Sequence, residues 1–191
     1  MQIITTPIPD VLVLEPRVFG DERGFFFESW NQREFARLGL PTQFVQDNHS
    51  KSARGILRGL HYQTQQVQGK LVRVVAGEVF DVAVDARPGS PWFGRWTGVL
   101  LSGDNHRQFW VPPGFAHGYY VTGADALFSY KCSDFYHPEH ELSIAWNDPA
   151  IGIAWPLLGE PVLSAKDQAA IPLAEVPAGR LPSYESPPPA H

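Results

Sequence analysis

Along the chain, apolar positions rich in Val, Phe, Trp and Tyr come in short runs broken by turn residues, and few stretches sustain the 3.6-residue period of an amphipathic helix. The predicted strands are Val11–Phe19, Gly24–Trp30, Gln43–His49, Leu57–Gln63, Leu71–Val75, Glu78–Val84, Trp92–Leu101, Gln108–Val111, His117–Val121 and Ala126–Lys131. Ala76-Gly77 reads as a turn that pairs two of them as a hairpin. A short helix is expected after Asn31, an N-cap with Glu34 three residues on, Phe35 and Leu38 on one face and Gly39 as the stop. A second, weaker one begins at Ser164, where Ser-x-x-Asp resembles a capping box ending in Asp167. The pattern is all-β, an antiparallel sandwich or barrel with a few short peripheral helices.

With 18 prolines and 17 glycines in 191 residues, the chain is read as one domain over residues 1–175. The segment Val176 to His191 contains Pro177, Pro182 and Pro187 to Pro189, so it is expected to form neither ladder nor helix and to lie extended or disordered. No internal repeat or linker is visible.

Charge and cysteine content narrow the function classes. Lys and Arg number 15 against 20 Asp and Glu, a net charge of −5, which argues against a nucleic-acid binder. A local basic pocket for one small phosphorylated ligand remains open. The single cysteine, Cys132, cannot form an intramolecular disulfide, and no Cys/His cluster has zinc-finger spacing, so a reducing, cytoplasmic setting is the simplest expectation. Met1 to Pro9 lacks a basic region followed by an apolar run, and no stretch approaches the ~18 apolar residues of a membrane span. Neither secretion nor membrane insertion is expected.

Polar groups concentrate where strands should be buried: Asp47-Asn48-His49-Ser50, then Arg58, His61 and Gln63. Burying such groups costs free energy unless they are paired, so together they read as a site, although His61 alone would read as a core histidine and Arg58 alone as a surface ion pair. Strict alternation places Arg58 and His61 on opposite faces, which requires a bulge near Gly59 or an arginine reaching in from the rim. Lys70 shares the parity of Val72 and Val74, so an interior face would carry its ammonium inward, where it would stabilise a developing oxyanion. Asp81 and Asp85 share the parity of Val79 and Ala83; Phe80, Val82 and Val84 form an apolar opposite face.

Pro112-Pro113-Gly114-Phe115-Ala116-His117 matches Pro-x-Gly-x-x-His, the core of the second cupin motif, and Gly55 with His61-Tyr62-Gln63 resembles the first. The second metal-ligand position of that pattern is Gln63, however, and Lys70 stands where Glu is usual. Gln is a poor ligand and Lys⁺ repels a cation, so the pocket of this cupin-type jelly roll is expected to hold no metal.

The resemblance goes further. Asp21-Glu22-Arg23-Gly24-Phe25-Phe26, Gln46 to Ser50, Leu57 to Gln63, Lys70 to Val74, Tyr130-Lys131-Cys132 and Trp146-Asn147-Asp148-Pro149, in this order, resemble the dTDP-4-dehydrorhamnose 3,5-epimerase family over about Ile3 to Leu173. This implies an isomerase without cofactor that inverts C3 and C5 of dTDP-4-dehydro-6-deoxy-D-glucose. The nearest alternatives are a monoepimerase of a related deoxysugar pathway and a non-catalytic sugar-nucleotide-binding cupin. By resemblance, His61 is the base, Asp167 its carboxylate partner, Lys70 the group facing the enolate oxygen and Tyr130 the acid on the opposite face. Arg23 and Arg58 resemble the diphosphate-holding groups. Gln46, Asp47 and Asn48 resemble substrate contacts from one strand, Glu28 and Glu141 polar contacts of the nucleotide end, and Tyr136 the aromatic that stacks on thymine. His117 would line the sugar pocket with Asp81 nearby, and Lys166 would stand where the family often has Arg. The partners implied are a small-molecule substrate and a second copy, in a homodimer whose N-terminal strands cross over.

Overall fold

The computed structural model describes residues 1–184. Its strands are β1 (Gln2–Thr5), β2 (Leu12–Glu15), β3 (Phe19–Asp21), β4 (Gly24–Phe26), β5 (Gln46–Ala53), β6 (Leu57–Gln63), β7 (Lys70–Asp85), β8 (Trp96–Ser102), β9 (Gln108–Val111), β10 (Phe115–Cys132) and β11 (Glu141–Ser143). Two short helices, α1 (Gln32–Arg37) and α2 (Ala165–Gln168), lie outside the sheets. All strand pairings are antiparallel.

The expected hairpin at Ala76-Gly77 does not form. Leu71–Val75 and Glu78–Val84 are two halves of the single strand β7, and His117–Val121 and Ala126–Lys131 are likewise halves of β10. The two long strands pair with each other along both halves, with the register shifting between Val121 and Ala126 opposite Gly77. Gly77 has φ +80, and a Cβ there would lie 1.9 Å from Asp125 O, so the glycine marks a bend between two closely packed backbones rather than a reversal. One half of the pair, flanked by β9 with β2 and β1 on one side and β5 on the other, belongs to one sheet; the other half, flanked by β8 and by β6 with β11, belongs to the opposing sheet. This is an all-β, cupin-like jelly roll.

The bend also changes which parity faces inward. Lys70, Val72 and Val74 are followed past Gly77 by Val79, Asp81 and Ala83; the valines and Ala83 pack in one core with Phe109, Phe115, Tyr119 and Phe128. Val82 and Val84 face the other way, into a core closed from outside by Ile144, Ile151 and Leu173.

The helix α1 is too short to persist alone. Asn31 Oδ1 accepts from the Arg33 and Glu34 amides, a cap worth about 1 kcal/mol, and buried Phe35 adds about 1.5–3 kcal/mol by joining Leu14, Leu71 and Trp110. In the proline-rich tail, Val176 and Pro182 are buried and Ala178–Arg180 form a 3-10 turn. The extended run expected from Val176 is therefore interrupted, because a proline's fixed φ permits one turn of helix to follow it. The remainder of that segment, 185–191, lies outside the described residues.

Candidate active site

A cavity of about 360 Å³ opens between the two sheets, lined among others by Gln46, Asn48, Arg58, His61, Lys70, His117, Tyr130, Tyr136, Glu141 and Lys166. Its walls have distinct origins. His61 on β6 and His117 on the first half of β10 belong to one sheet, whereas Gln46 and Asn48 on β5, Lys70 on the first half of β7 and Tyr130 on the second half of β10 belong to the other.

The parity conflict between Arg58 and His61 is resolved by a bulge. Opposite β10, His61 aligns with His117 but Arg58 aligns with Tyr119, so three steps on β6 match two on β10. Gly59 supplies the extra residue at φ +128, and a Cβ on it would stand 2.5 Å from Gly118 Cα. Both side chains consequently line the cavity.

His61 Nε2 lies 2.5 Å from Asp167 Oδ1. Ser164 caps α2 and donates its hydroxyl to Asp167 Oδ2 at 2.8 Å, so both carboxylate oxygens are engaged. Burial lowers the His61 pKa below the ordinary imidazole value and outweighs the opposing attraction of Asp167. For Asp167, burial pulls upward, but the hydrogen bonds from His61 and Ser164 win and hold it below the usual carboxylate range. The result near neutral pH is an ionised carboxylate holding a neutral imidazole whose other nitrogen has no hydrogen-bond partner among the described residues and can accept a proton.

Lys70 lies among Cys132, Glu141 and Asp81, and burial pushes its pKa down against their attraction. Tyr130, whose hydroxyl has no hydrogen-bond partner among the described residues, is pushed up to about 12, mainly by burial, which keeps the phenol protonated. His117 Nε2 contacts Asp81 Oδ1 at 2.8 Å; Asp81 is itself fully buried and its pKa is raised by that burial.

At the mouth, Lys166 pairs with Glu141 at 2.8 Å and the Tyr136 hydroxyl donates to Glu141 at 2.9 Å. The Tyr136 amide donates to Gln46 Oε1, which ties this rim to β5. Burial works to raise Glu141, but Lys166 and Tyr136 hold it below its ordinary value.

Of the residues expected at the site, Asp167 stands behind His61 rather than in the lining, and three others lie away from the cavity. Asp47 points to the opposite face of β5 from Gln46 and Asn48, as strand alternation requires, and pairs there with Lys131 at 3.0 Å. Arg23 is 85% exposed on the β3–β4 hairpin, paired with Asp21. Glu28 accepts from Asn31 at the start of α1. Conversely, Tyr119 and Phe128 line the cavity without having been anticipated, and Ser50, from the polar run on β5, lines it too. Strand alternation from Gln46 and Asn48 puts Ser50 on the same face of β5.

The metal-ligand positions of the cupin pattern are chemically occupied. Gln63 donates Nε2 to Gln66 O and Phe135 O and accepts the His137 amide on Oε1, so its amide holds loops together rather than facing a cation. The residues present do not fit a cupin metal centre.

Residues 5–175 match the family model described as dTDP-4-dehydrorhamnose 3,5-epimerase. The chain is 62% identical over 169 residues to the dTDP-4-dehydrorhamnose 3,5-epimerase of Pseudomonas aeruginosa, covering 88% of this chain and 93% of the relative. It is 60% identical over 172 residues to that of Salmonella typhimurium, covering 89% and 94%. Among solved structures, the dTDP-6-deoxy-D-glucose-3,5-epimerase of Legionella pneumophila, in complex with dTDP-4-keto-L-rhamnose, superimposes with a TM-score of 0.95 at 57% identity, covering 97% of this chain and 99% of the other.

Proposed function

Because this chain belongs to the dTDP-4-dehydrorhamnose 3,5-epimerase family, we propose that its cavity inverts C3 and C5 of dTDP-4-dehydro-6-deoxy-D-glucose, giving dTDP-4-dehydro-L-rhamnose. The protein is an isomerase of that family.

The C4 ketone acidifies the protons on its neighbours C3 and C5. His61, neutral and oriented by Asp167, takes a proton from one carbon, the electrons move into the C4 carbonyl, and an enolate forms with its negative charge on O4. Lys70 lies in the cavity to stabilise that charge, in surroundings where water screens it little. Inversion requires the proton to return on the opposite face of the sugar. Tyr130, on the opposing sheet, carries a protonated phenol with no hydrogen-bond partner among the described residues, and it serves as that acid. The placement of His61 and Tyr130 on facing walls of one cavity is the observation that supports the reading.

Arg58 at the rim is the cation we assign to the diphosphate, with Tyr136 and the Glu141–Lys166 pair toward the nucleotide end. Arg23 and Glu28 lie away from this chain's own cavity, on a segment whose Phe19, Phe25 and Phe26 are exposed. We infer a homodimer in which the β3–β4 hairpin crosses over to the partner, bringing both residues to the partner's site. A reducing, cytoplasmic setting agrees with the buried free thiol of Cys132. No helix among the described residues is long and apolar enough to cross a membrane.

The test is incubation with the 4-keto substrate and NMR assignment of the product. Inversion at both C3 and C5 is expected. One inverted centre would make the protein a monoepimerase, and unchanged substrate would make it a binding protein only.

A further inference from the structure

Among the described residues two arginines are held through Nε by a neutral oxygen: Arg54 by Gly123 O at an exposed turn, and Arg58, which lines the cavity. Arg23, Arg37, Arg87 and Arg107 are each paired with a carboxylate, on Asp21, Glu34, Asp85 and Glu15 respectively. Arg58 pairs with no carboxylate among the described residues. Its one side-chain hydrogen bond is Nε donating to Ser52 Oγ at 3.1 Å. Ser52 is 2% exposed, and its hydroxyl lies 3.4 Å from that of Tyr119, which lies 3.2 Å from Ser50 Oγ. The Tyr119 ring is in turn fixed by stacking on Phe128, centroid to centroid 4.3 Å at 19°.

The choice of a neutral anchor has two physical consequences. A carboxylate placed beside a guanidinium engages Nε and a terminal nitrogen together, as Asp85 does with Arg87. It would also cancel the positive charge. A hydroxyl bound to Nε alone fixes the guanidinium plane yet leaves both terminal nitrogens, and the whole charge, available to an anion. We propose that Ser52, backed by Tyr119, is the positioning residue that presents the terminal nitrogens of Arg58 to the substrate diphosphate as a two-pronged donor. This rests on the assignment of Arg58 to the diphosphate.

Calorimetric titration with dTDP separates the two claims. Arg58→Ala is expected to weaken binding strongly. Ser52→Ala should weaken it by about two- to tenfold, the range of one hydrogen bond, with the kinetic loss appearing in KM rather than kcat. Ser52→Thr, which keeps the hydroxyl, should restore most of the affinity. In the double variant Ser52→Ala/Arg58→Ala, the serine change should add nothing further, because its effect passes through the arginine. Tyr119→Phe keeps the ring stack and should give a smaller loss, again only when Arg58 is present. An additive effect in the double variant, or wild-type affinity in Ser52→Ala while Arg58→Ala is impaired, would overturn the role of Ser52 and leave the diphosphate assignment standing. Wild-type affinity in Arg58→Ala would overturn the assignment itself, and the proposal with it.

Discussion

His61 Nε2 and Asp167 Oδ1 stand 2.5 Å apart across 106 residues of chain, the one on a central strand and the other in a single turn of helix outside the sheets. The contact gives α2 a purpose that four residues of helix would otherwise lack, since it fixes the His61 ring and keeps a negative charge beside it.

The pair sets the acid limb of the pH profile. A base must be neutral, so activity should decline as pH falls through the His61 pKa, which burial places below the ordinary imidazole value. Asp167→Asn removes a charge that raises that pKa, moving the limb to lower pH, while the loss of orientation and imidazolium stabilisation should cut kcat by about 10²–10⁴. A variant with wild-type kcat and an unmoved acid limb would show that the contact is structural only.

Lys70 is expected to govern the opposite limb. It must be charged to stabilise an enolate, and burial brings its pKa below that of an ordinary lysine, so activity should fall as pH rises toward that lowered value. Lys70→Met should lower kcat by about 10²–10³ and abolish this alkaline limb. Persistence of the same limb in the variant would assign it to another group.

Much of this was legible in the sequence because it is local. The Asn31 and Ser164 caps, the Leu57–Gln63 strand and the inward parity of Lys70 follow from residue type and period alone. What escaped was set by backbone geometry at glycine. Gly77 bends a strand that reads as a hairpin, whereas the bulge at Gly59 was one of the two ways alternation left to bring Arg58 and His61 to one face, and only the backbone selects it. Asp47 shows another limit: a resemblance names neighbours in sequence, but alternation sends its side chain away from those of Gln46 and Asn48.

The bulge can be tested directly. At Gly59 an alanine would need φ +128 and would place its Cβ 2.5 Å from Gly118 Cα and 2.9 Å from His117 O, both backbone. Gly59→Ala should therefore cost more than the ~1–3 kcal/mol of a strained φ alone. Gly89→Ala, also at positive φ but with nothing within 4 Å, is the control and should lower Tm less. Equal losses of Tm would mean that close packing at the bulge does not matter.

Metal removal should be without effect. The Gln63 amide is committed to Gln66, Phe135 and His137, and Lys70 occupies the cavity as a cation. Activity assayed after dialysis against EDTA is expected to match the untreated protein. Loss of turnover that a divalent ion restores would contradict this view of the pocket.

The division of labour between His61 and Tyr130 is most directly tested by following deuterium from D₂O into C3 and C5 of the 4-keto substrate by NMR, for the wild type, His61→Asn and Tyr130→Phe. The wild type should acquire deuterium at both carbons with inverted configuration, and His61→Asn should show no exchange. Tyr130→Phe, which keeps the ring and loses the donor, should exchange with retained configuration while yielding little inverted product. Exchange in His61→Asn, or epimerisation by Tyr130→Phe at the wild-type rate, would contradict the assignment of base and acid to the two facing walls.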